Sequence, residues 1–272
     1  MKSSASLDTE LAALRSTVRA DAANVKHRIH LFQLLCVMGR WQRALAQLQL
    51  CGQMDAKALA MAQTYREAIR AELFRAEVFA GRRQPSIMGK PPEWVGLLLE
   101  ALRLETMGET EKGHALRAQA LDAAEPVAFQ VDGQSVEWLC DGDARLGPTL
   151  EVIANGQYYW LPLELMSGLR LEAPTDLRDL VWATGELMLP NEGRVPVLIP
   201  ARYVGTDALE GAENDALKRS ACTRWQNMGD EQWHGLGQRM LVSDVGEHPL
   251  LDIREISRAV KTPNAEAATG DR

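Results

Sequence analysis

The sequence lacks any long apolar stretch. A membrane-spanning helix needs about 20 consecutive apolar residues, whereas the apolar runs here extend over only a few residues, as at 95–99, where Gly96 intervenes. The first 16 residues, MKSSASLDTELAALRS, contain no apolar core of a secretory signal. We therefore expect a chain that does not insert into a membrane and that is located in the cytoplasm.

Cysteines are few, and basic residues are outnumbered by acidic ones. The four cysteines, Cys36, Cys51, Cys140 and Cys222, are far apart and form no CxxC pair, which argues against a zinc ribbon or a dithiol redox motif. Scattered thiols of this kind fit a reducing cytoplasm.

The 30 Lys and Arg residues are outnumbered by 37 Asp and Glu, for a net charge of −7, and this balance argues against nucleic acid as the partner. No cofactor motif is present, and we expect no cofactor.

The charge is divided unevenly along the chain. Residues 1–125 contain 17 Lys and Arg against 14 Asp and Glu, a net charge of +3. Residues 126–272 contain 13 against 23, a net charge of −10. Such a step in composition predicts two units with different surfaces. We place a helical domain at 1–125, an α+β domain at 126–258 and a disordered tail at 259–272.

Helical periodicity dominates residues 1–125. Apolar residues recur at spacings of three and four, as at Leu7, Leu11, Leu14 and Val18, which is typical of one buried helix face. The predicted helices cover 8–20, 24–38, 41–50, 55–79, 94–106 and 110–124. Two segments resemble the start of the second helix in a tetratricopeptide-type hairpin. They are MGRWQRALAQLQL and MGETEKGHALRAQAL. An irregular helical bundle is the alternative. His27 and His30 lie one helical turn apart, but no third ligand accompanies them, so a metal site is not predicted.

Short strands and turns dominate residues 126–258. Alternating runs predict strands at 135–140, 150–154, 157–163, 168–172, 195–199, 238–242 and 250–255. Asn155-Gly156 is the residue pair that a two-residue hairpin turn prefers, and it would place Val152 opposite Tyr159. Short helices are predicted near 176–182 and 215–228. The fold class is therefore α+β: an all-helical, tetratricopeptide-like array followed by a smaller mixed domain of mainly antiparallel strands.

One acidic pair could carry chemistry. Asp141 and Asp143 could share a divalent cation or perform acid–base catalysis, with Arg145 as a neighbour. The alternative is structural: both carboxylates would cap a tight turn, and Arg145 would pair with one of them. We favour the turn. A metal-dependent enzyme that uses Asp141, Asp143 and Arg145 stays as the competing function.

Seven motifs in order make the second unit recognisable. They are WLCDGDARLGPTLEV, NGQYYWLP, PTDLRDLVW, IPARYVGT, TRW, GLGQRML and LLDIREI. Together they resemble the ImpE/SciE-type family, also called TagJ, whose members are accessory components of type VI secretion systems. The resemblance implies a non-catalytic adaptor that binds the N-terminal helix of the small sheath subunit, TssB, and is linked to sheath disassembly by the unfoldase ClpV. It provides no catalytic residues and no metal ligands.

Partner contacts are expected on distinctive polar and aromatic residues of the second unit, because Trp, Tyr and Arg are common in interface hot spots. We also expect that most aromatic residues there fill the core and that one or two reach the surface. A groove in the helical array remains the other placement for the partner helix. The candidate contact residues are Trp138, Asp141, Asp143, Arg145, Tyr159, Trp160, Arg178, Asp179, Trp182, Arg202, Tyr203, Gln238 and Arg239.

Overall fold

Six long helices and a large antiparallel sheet make up most of the fold. A computed structural model describes residues 6–259. The α-helices are α1 Leu7–Ala20, α2 Val25–Val37, α3 Trp41–Met54, α4 Leu59–Phe79, α5 Glu93–Thr106, α6 Thr110–Ala123 and α7 Asp215–Lys218. The strands are β1 Ser86–Ile87, β2 Phe129–Val131, β3 Gln134–Val136, β4 Leu139–Asp141, β5 Thr149–Ala154, β6 Gln157–Pro162, β7 Gly168–Leu171, β8 Trp182–Met188, β9 Arg194–Pro200, β10 Thr223–Asn227, β11 Trp233–Gly237, β12 Met240–Ser243, β13 Gly246–Pro249 and β14 Glu255–Arg258. The α+β fold class is confirmed.

Local sequence signals explain the helix bounds. In α1 the Ser6 hydroxyl accepts a hydrogen bond from the Thr9 N–H, which caps the first turn. Gly39 and Gly108 have positive φ values of 68° and 85° directly after α2 and α5, so each helix ends and a three-residue turn leads into the next. The six predicted helices are thus confirmed to within a few residues, except that α4 starts at Leu59 after a 3-10 turn that Asp55 caps.

The main sheet has nine strands in the order β1-β6-β5-β9-β8-β7-β14-β2-β3. Its pairings are antiparallel except for the parallel pair of β1, a short strand from the loop between α4 and α5, with β6. Asn155 and Gly156 adopt φ values of 48° and 74° in the β5–β6 turn, and Val152 pairs with Tyr159 as predicted. Strands β13-β12-β4 form a second sheet, and β10-β11 form a separate hairpin.

Three predicted elements are wrong. Residues 176–182 form a turn and the start of β8, because Asp179 accepts hydrogen bonds from the Thr175 and Asp176 N–H groups and Asp176 accepts one from Arg178. Helix α7 ends at Lys218, and half of the remaining predicted helix is strand β10. Residues 250–254 connect β13 to β14 instead of forming a strand, and β14 begins at Glu255.

Both faces of the central strands are buried. In β5, Ile153 belongs to the apolar cluster that contains the helices, whereas Leu150 and Val152 belong to the cluster on the opposite face. The first cluster crosses residue 125, because it also includes Trp160 and Trp182. The division into domains at 1–125 and 126–258 stays a prediction. The predicted tail lies outside the described residues except for Ala259. Within the described range, no helix is long and apolar enough to cross a membrane.

Candidate functional site

A cluster of buried charges lies where helix α4 packs on the sheet. Glu151, at the centre of β5, accepts hydrogen bonds from Arg75 at 2.6 Å (Nε to Oε1) and 2.8 Å (Nη2 to Oε2). Arg239, from the bend between β11 and β12, also donates to Glu151. The side chains of all three are almost completely buried. One carboxylate therefore ties together a helix, a strand and a bend that are far apart in sequence.

Glu151 is held in its charged form. Burial alone would raise its pKa, but the guanidinium groups of Arg75 and Arg239 outweigh burial and lower the pKa to about 2. The hydroxyl of Tyr158 also donates to Glu151, and Trp160 donates its indole N–H to Tyr158 at 2.7 Å. This arrangement satisfies the buried polar groups and gives the cluster a structural role.

The acidic pair adopts the predicted turn. Asp143 accepts from Arg145 Nε at 2.8 Å and from the Gly235 N–H at 2.9 Å. Asp141 accepts from Arg239 and from the Tyr203 hydroxyl, the latter at 2.9 Å. Burial raises the pKa of Asp141 to about 6 despite the opposing charge of Arg239.

This acidic pair does not form a metal centre in the structure. Over residues 6–259, no group of three or more His, Cys, Asp or Glu side chains is arranged to hold a metal ion. Binding of a cation by Asp141 and Asp143 would require their arginine pairs to separate.

Other predicted contact residues also lie inside the protein. Trp182 is fully buried, its ring lies 5.9 Å from the tilted ring of Trp41 (centroid to centroid), and its indole N–H donates to Glu72 at 3.0 Å. Arg202 is buried and donates to the carbonyl groups of Val37 and Cys36 at the end of α2, which a cation stabilises. A partner cannot reach Trp160, Trp182, Arg202, Tyr203 or Arg239 in this conformation.

Polar members of the predicted set mostly stabilise local turns. Arg178 is half-buried, pairs with Asp176 at 2.8 Å and stacks 4.8 Å above the Tyr65 ring. Asp179 caps the same turn. Half-buried Gln238 accepts from the Leu251 N–H at 3.2 Å, and the Tyr159 hydroxyl donates to Gln157.

Trp138 is the predicted residue most open to solvent, with 37% of its surface exposed. It lines a pocket of about 270 Å³ where the end of α6 meets the start of the strand-rich segment. Trp94 forms another wall and donates its indole N–H to Glu164 at 3.1 Å. The remaining lining residues are Leu121, Ala124, Glu125, Pro126, Val127, Leu139, Cys140, Pro148 and Leu163. As expected, few aromatic side chains of this unit reach the surface; Trp138 and Trp233 are the large exposed ones among the described residues.

Sequence reasoning missed Arg75, Glu151 and Tyr158. Two signals were available. Arg75 lies four residues after Ala71 and three residues before Val78, on a buried face of α4. Glu151 interrupts an apolar run in which all six residues of β5 are buried. Charged residues at such positions need a buried partner of opposite charge, but sequence alone does not identify that partner.

Comparisons with known proteins agree along most of the chain. A family model described as ImpE protein matches residues 133–257. The type VI secretion system accessory component TagJ of Pseudomonas aeruginosa strain PAO1 is 48% identical over 250 residues, covering 92% of this chain and 86% of that protein. The crystal structure of protein VPA1032 from Vibrio parahaemolyticus superposes with a TM-score of 0.84 at 23% identity and covers 94% of both chains. The similarity to VPA1032 supports the fold described above.

Proposed function

Because this chain belongs to the ImpE (TagJ) family of type VI secretion system accessory components, we propose that it is a non-catalytic adaptor in the cytoplasm. Its partner in this proposal is the N-terminal helix of the small contractile-sheath subunit, TssB. Binding would present that subunit for ClpV-linked disassembly of the sheath. The observation that carries the proposal is the 48% identity to a TagJ protein over most of both chains.

The buried charges favour a structural role over catalysis. Asp141, Asp143 and Glu151 each face an arginine side chain within the core. A catalytic carboxylate would need access to substrate, whereas the side chains of these three residues are fully buried. The same groups are well suited to hold the helices against the sheet.

We place the partner helix on the Trp138 pocket. An amphipathic helix binds through a few apolar side chains that enter an apolar groove, with polar groups around the rim. The pocket offers Trp94, Trp138 and Leu163 as apolar walls and Glu125 at its edge. A volume of about 270 Å³ is sufficient for one or two large apolar side chains of the partner.

The test is titration of a fluorescently labelled peptide, the N-terminal helix of the sheath subunit from the same secretion system, with the full chain. Binding in the micromolar range, about −8 kcal/mol, is expected. Trp138→Ala should weaken it by about thirtyfold, the effect of losing an interface hot spot of about 2 kcal/mol. The matched control is Trp233→Ala, because Trp233 is similarly exposed at 42% and lines a different pocket.

Three results would contradict the proposal. Absence of binding to the folded full chain would exclude the sheath helix as the partner. Equal affinities of wild type and Trp138→Ala, with unchanged thermal unfolding, would exclude the pocket as its site. Loss of binding in Trp233→Ala alone would place the helix elsewhere on the surface.

A further inference from the structure

A second pocket, of about 300 Å³, lies between the β10–β11 hairpin and the small sheet β13-β12-β4. Trp225, Trp233, Val242 and Glu247 line it, and Gly142 forms its base. Trp233 is 42% exposed, which is unusual for the largest apolar side chain in proteins. We call this site the two-tryptophan pocket.

The strand register brings the two indoles together. Trp225 pairs with Gly235 and Asn227 pairs with Trp233, so both indoles lie on the same face of the hairpin as diagonal neighbours. Diagonal side chains of this kind lie within reach of each other when they are aromatic. Arg224 and His234 alternate with them and therefore lie on the other face of the hairpin.

Packing fixes the orientation of Trp225. Its ring lies 5.6 Å from the ring of Tyr203, and the Tyr203 hydroxyl is bonded to Asp141 at 2.9 Å. Gly142 allows the chain to approach the Trp225 ring closely, because a Cβ atom there would lie 2.6 Å from Trp225 Cη2. One wall of the pocket is therefore rigid before any ligand arrives.

The pocket contains one exposed carboxylate and is built from acidic stretches of the sequence. Exposed Glu247 pairs with Val242 across β12 and β13 and supplies a carboxylate within the pocket. The pocket is built from two segments of the chain, of which residues 118–144 contain six acidic residues and no Lys or Arg. Residues 225–253 contain five acidic residues and one arginine, Arg239, which is fully buried. The exposed Arg224, next to Trp225, alternates with it along β10 and so lies on the face of the hairpin that does not carry the two indoles.

We propose that the two-tryptophan pocket binds a cationic side chain, Lys or Arg, presented by a partner protein. The faces of indole rings attract cations electrostatically, and Trp does so more strongly than Tyr or Phe. The carboxylate of Glu247 adds a charge-assisted hydrogen bond. The proposal does not depend on the Trp138 pocket and adds a second recognition element with its own chemistry.

The probes are short acetylated, amidated peptides with a single central Arg, Lys, citrulline or norleucine among alanines. Binding to the full chain is followed by NMR of the seven indole N–H signals, assigned with single Trp→Phe variants. Arg and Lys peptides should shift the Trp225 and Trp233 signals with dissociation constants in the millimolar range. The neutral citrulline and norleucine peptides should not, and added salt should weaken binding.

Two substitutions separate a binding role from a structural one. Glu247→Gln should weaken Arg and Lys binding by at least about threefold, and Trp233→Ala should abolish it, while Trp138→Ala should leave it unchanged. Both Glu247 and Trp233 are exposed, so thermal unfolding should change little. Equal shifts with neutral peptides, or unchanged binding in Glu247→Gln, would overturn the proposal. If Trp233→Ala does not fold, Glu247→Gln alone decides.

Discussion

Removal of the charge on Glu151 tests whether the buried cluster holds the fold together. Glu151→Gln keeps the shape of the side chain but leaves Arg75 and Arg239 facing a neutral amide inside the protein. Breaking one partner of a buried ion pair costs about 3–5 kcal/mol. Each arginine retains a second carboxylate, Glu72 at 3.3 Å and Asp141 at 2.5 Å respectively. We therefore expect a loss near the lower bound, about 3 kcal/mol.

The loss is large enough to measure by both urea and heat. For a chain of this size, about 3 kcal/mol corresponds to a fall in Tm of roughly 6–12 °C. Tryptophan fluorescence reports the transition directly, because Trp160 and Trp182 are buried beside the cluster. Glu255→Gln is the matched control, since Glu255 pairs with Arg170 at 3.2 Å on the exposed surface, where such a pair contributes little.

The pH dependence provides a second signature of the same cluster. The pKa of Glu151 is lowered from 4.5 to about 2, so its charge stabilises the folded state above pH 4.5 and this contribution is lost as the pH falls towards 2. The difference in the free energy of unfolding between wild type and Glu151→Gln should therefore narrow below pH 4.5. A Glu151→Gln variant as stable as Glu255→Gln at pH 7 would refute a structural role for the cluster.

Two further predictions follow from burial. Burial raises the pKa of Asp141 from 3.8 to about 6, so wild type gains stability from this group as the pH falls from 6 towards 4. The free energy of unfolding of wild type, relative to that of Asp141→Asn, should thus increase by on the order of 1 kcal/mol between pH 7 and pH 5, as measured by urea unfolding. A difference that stays constant over this range would contradict the raised pKa of Asp141. Cys222 is exposed, whereas Cys36 and Cys51 are buried, so a thiol reagent should modify Cys222 rapidly in the native chain, and Cys222→Ser should remove that fast phase.

The helices and the tight hairpin could be predicted because their signals are local. Periodic leucines mark α1, and Gly39 and Gly108 end α2 and α5 through positive φ values. The Asn155-Gly156 turn needs two residues with positive φ, which few other pairs adopt without strain. In each case, residues within one or two turns of each other determine the local structure.

The failed predictions share a different cause. The predicted helices at 176–182 and 215–228 both begin with an aspartate, yet the only helix in these two segments is the four-residue α7, Asp215–Lys218. At Asp176 the turn is closed by two carboxylates: Asp179 accepts from the Thr175 and Asp176 N–H groups, and Asp176 accepts from the Arg178 N–H. At Asp215 the chain reverses at Ser220, where φ is 54°, and it then pairs as strand β10. A capping residue indicates where a helix could start, but the residues that follow determine how far it continues.

The sequence indicated which residues to consider for the candidate site, but not which of their side chains are buried and which are exposed. Arg and Trp are enriched both in interface hot spots and in satisfied core networks, and their sequence context does not separate the two. Whether such a side chain is buried depends on ion-pair partners that are remote in sequence. Arg75 and Glu151 lie 76 positions apart, and Arg239 and Glu151 lie 88 positions apart.

The residues that can contact a partner in the folded structure are therefore fewer than those predicted from the sequence. Side chains in the motifs around Asp141, Trp182 and Arg239 hold helices and strands together, so substitutions there would weaken binding only by destabilising the fold. Recognition of a partner needs surface that is exposed before binding and desolvated after it. Trp138 and Trp233 meet that requirement, in two separate pockets. Variants at these two tryptophans thus test recognition without disturbing the network that maintains the fold.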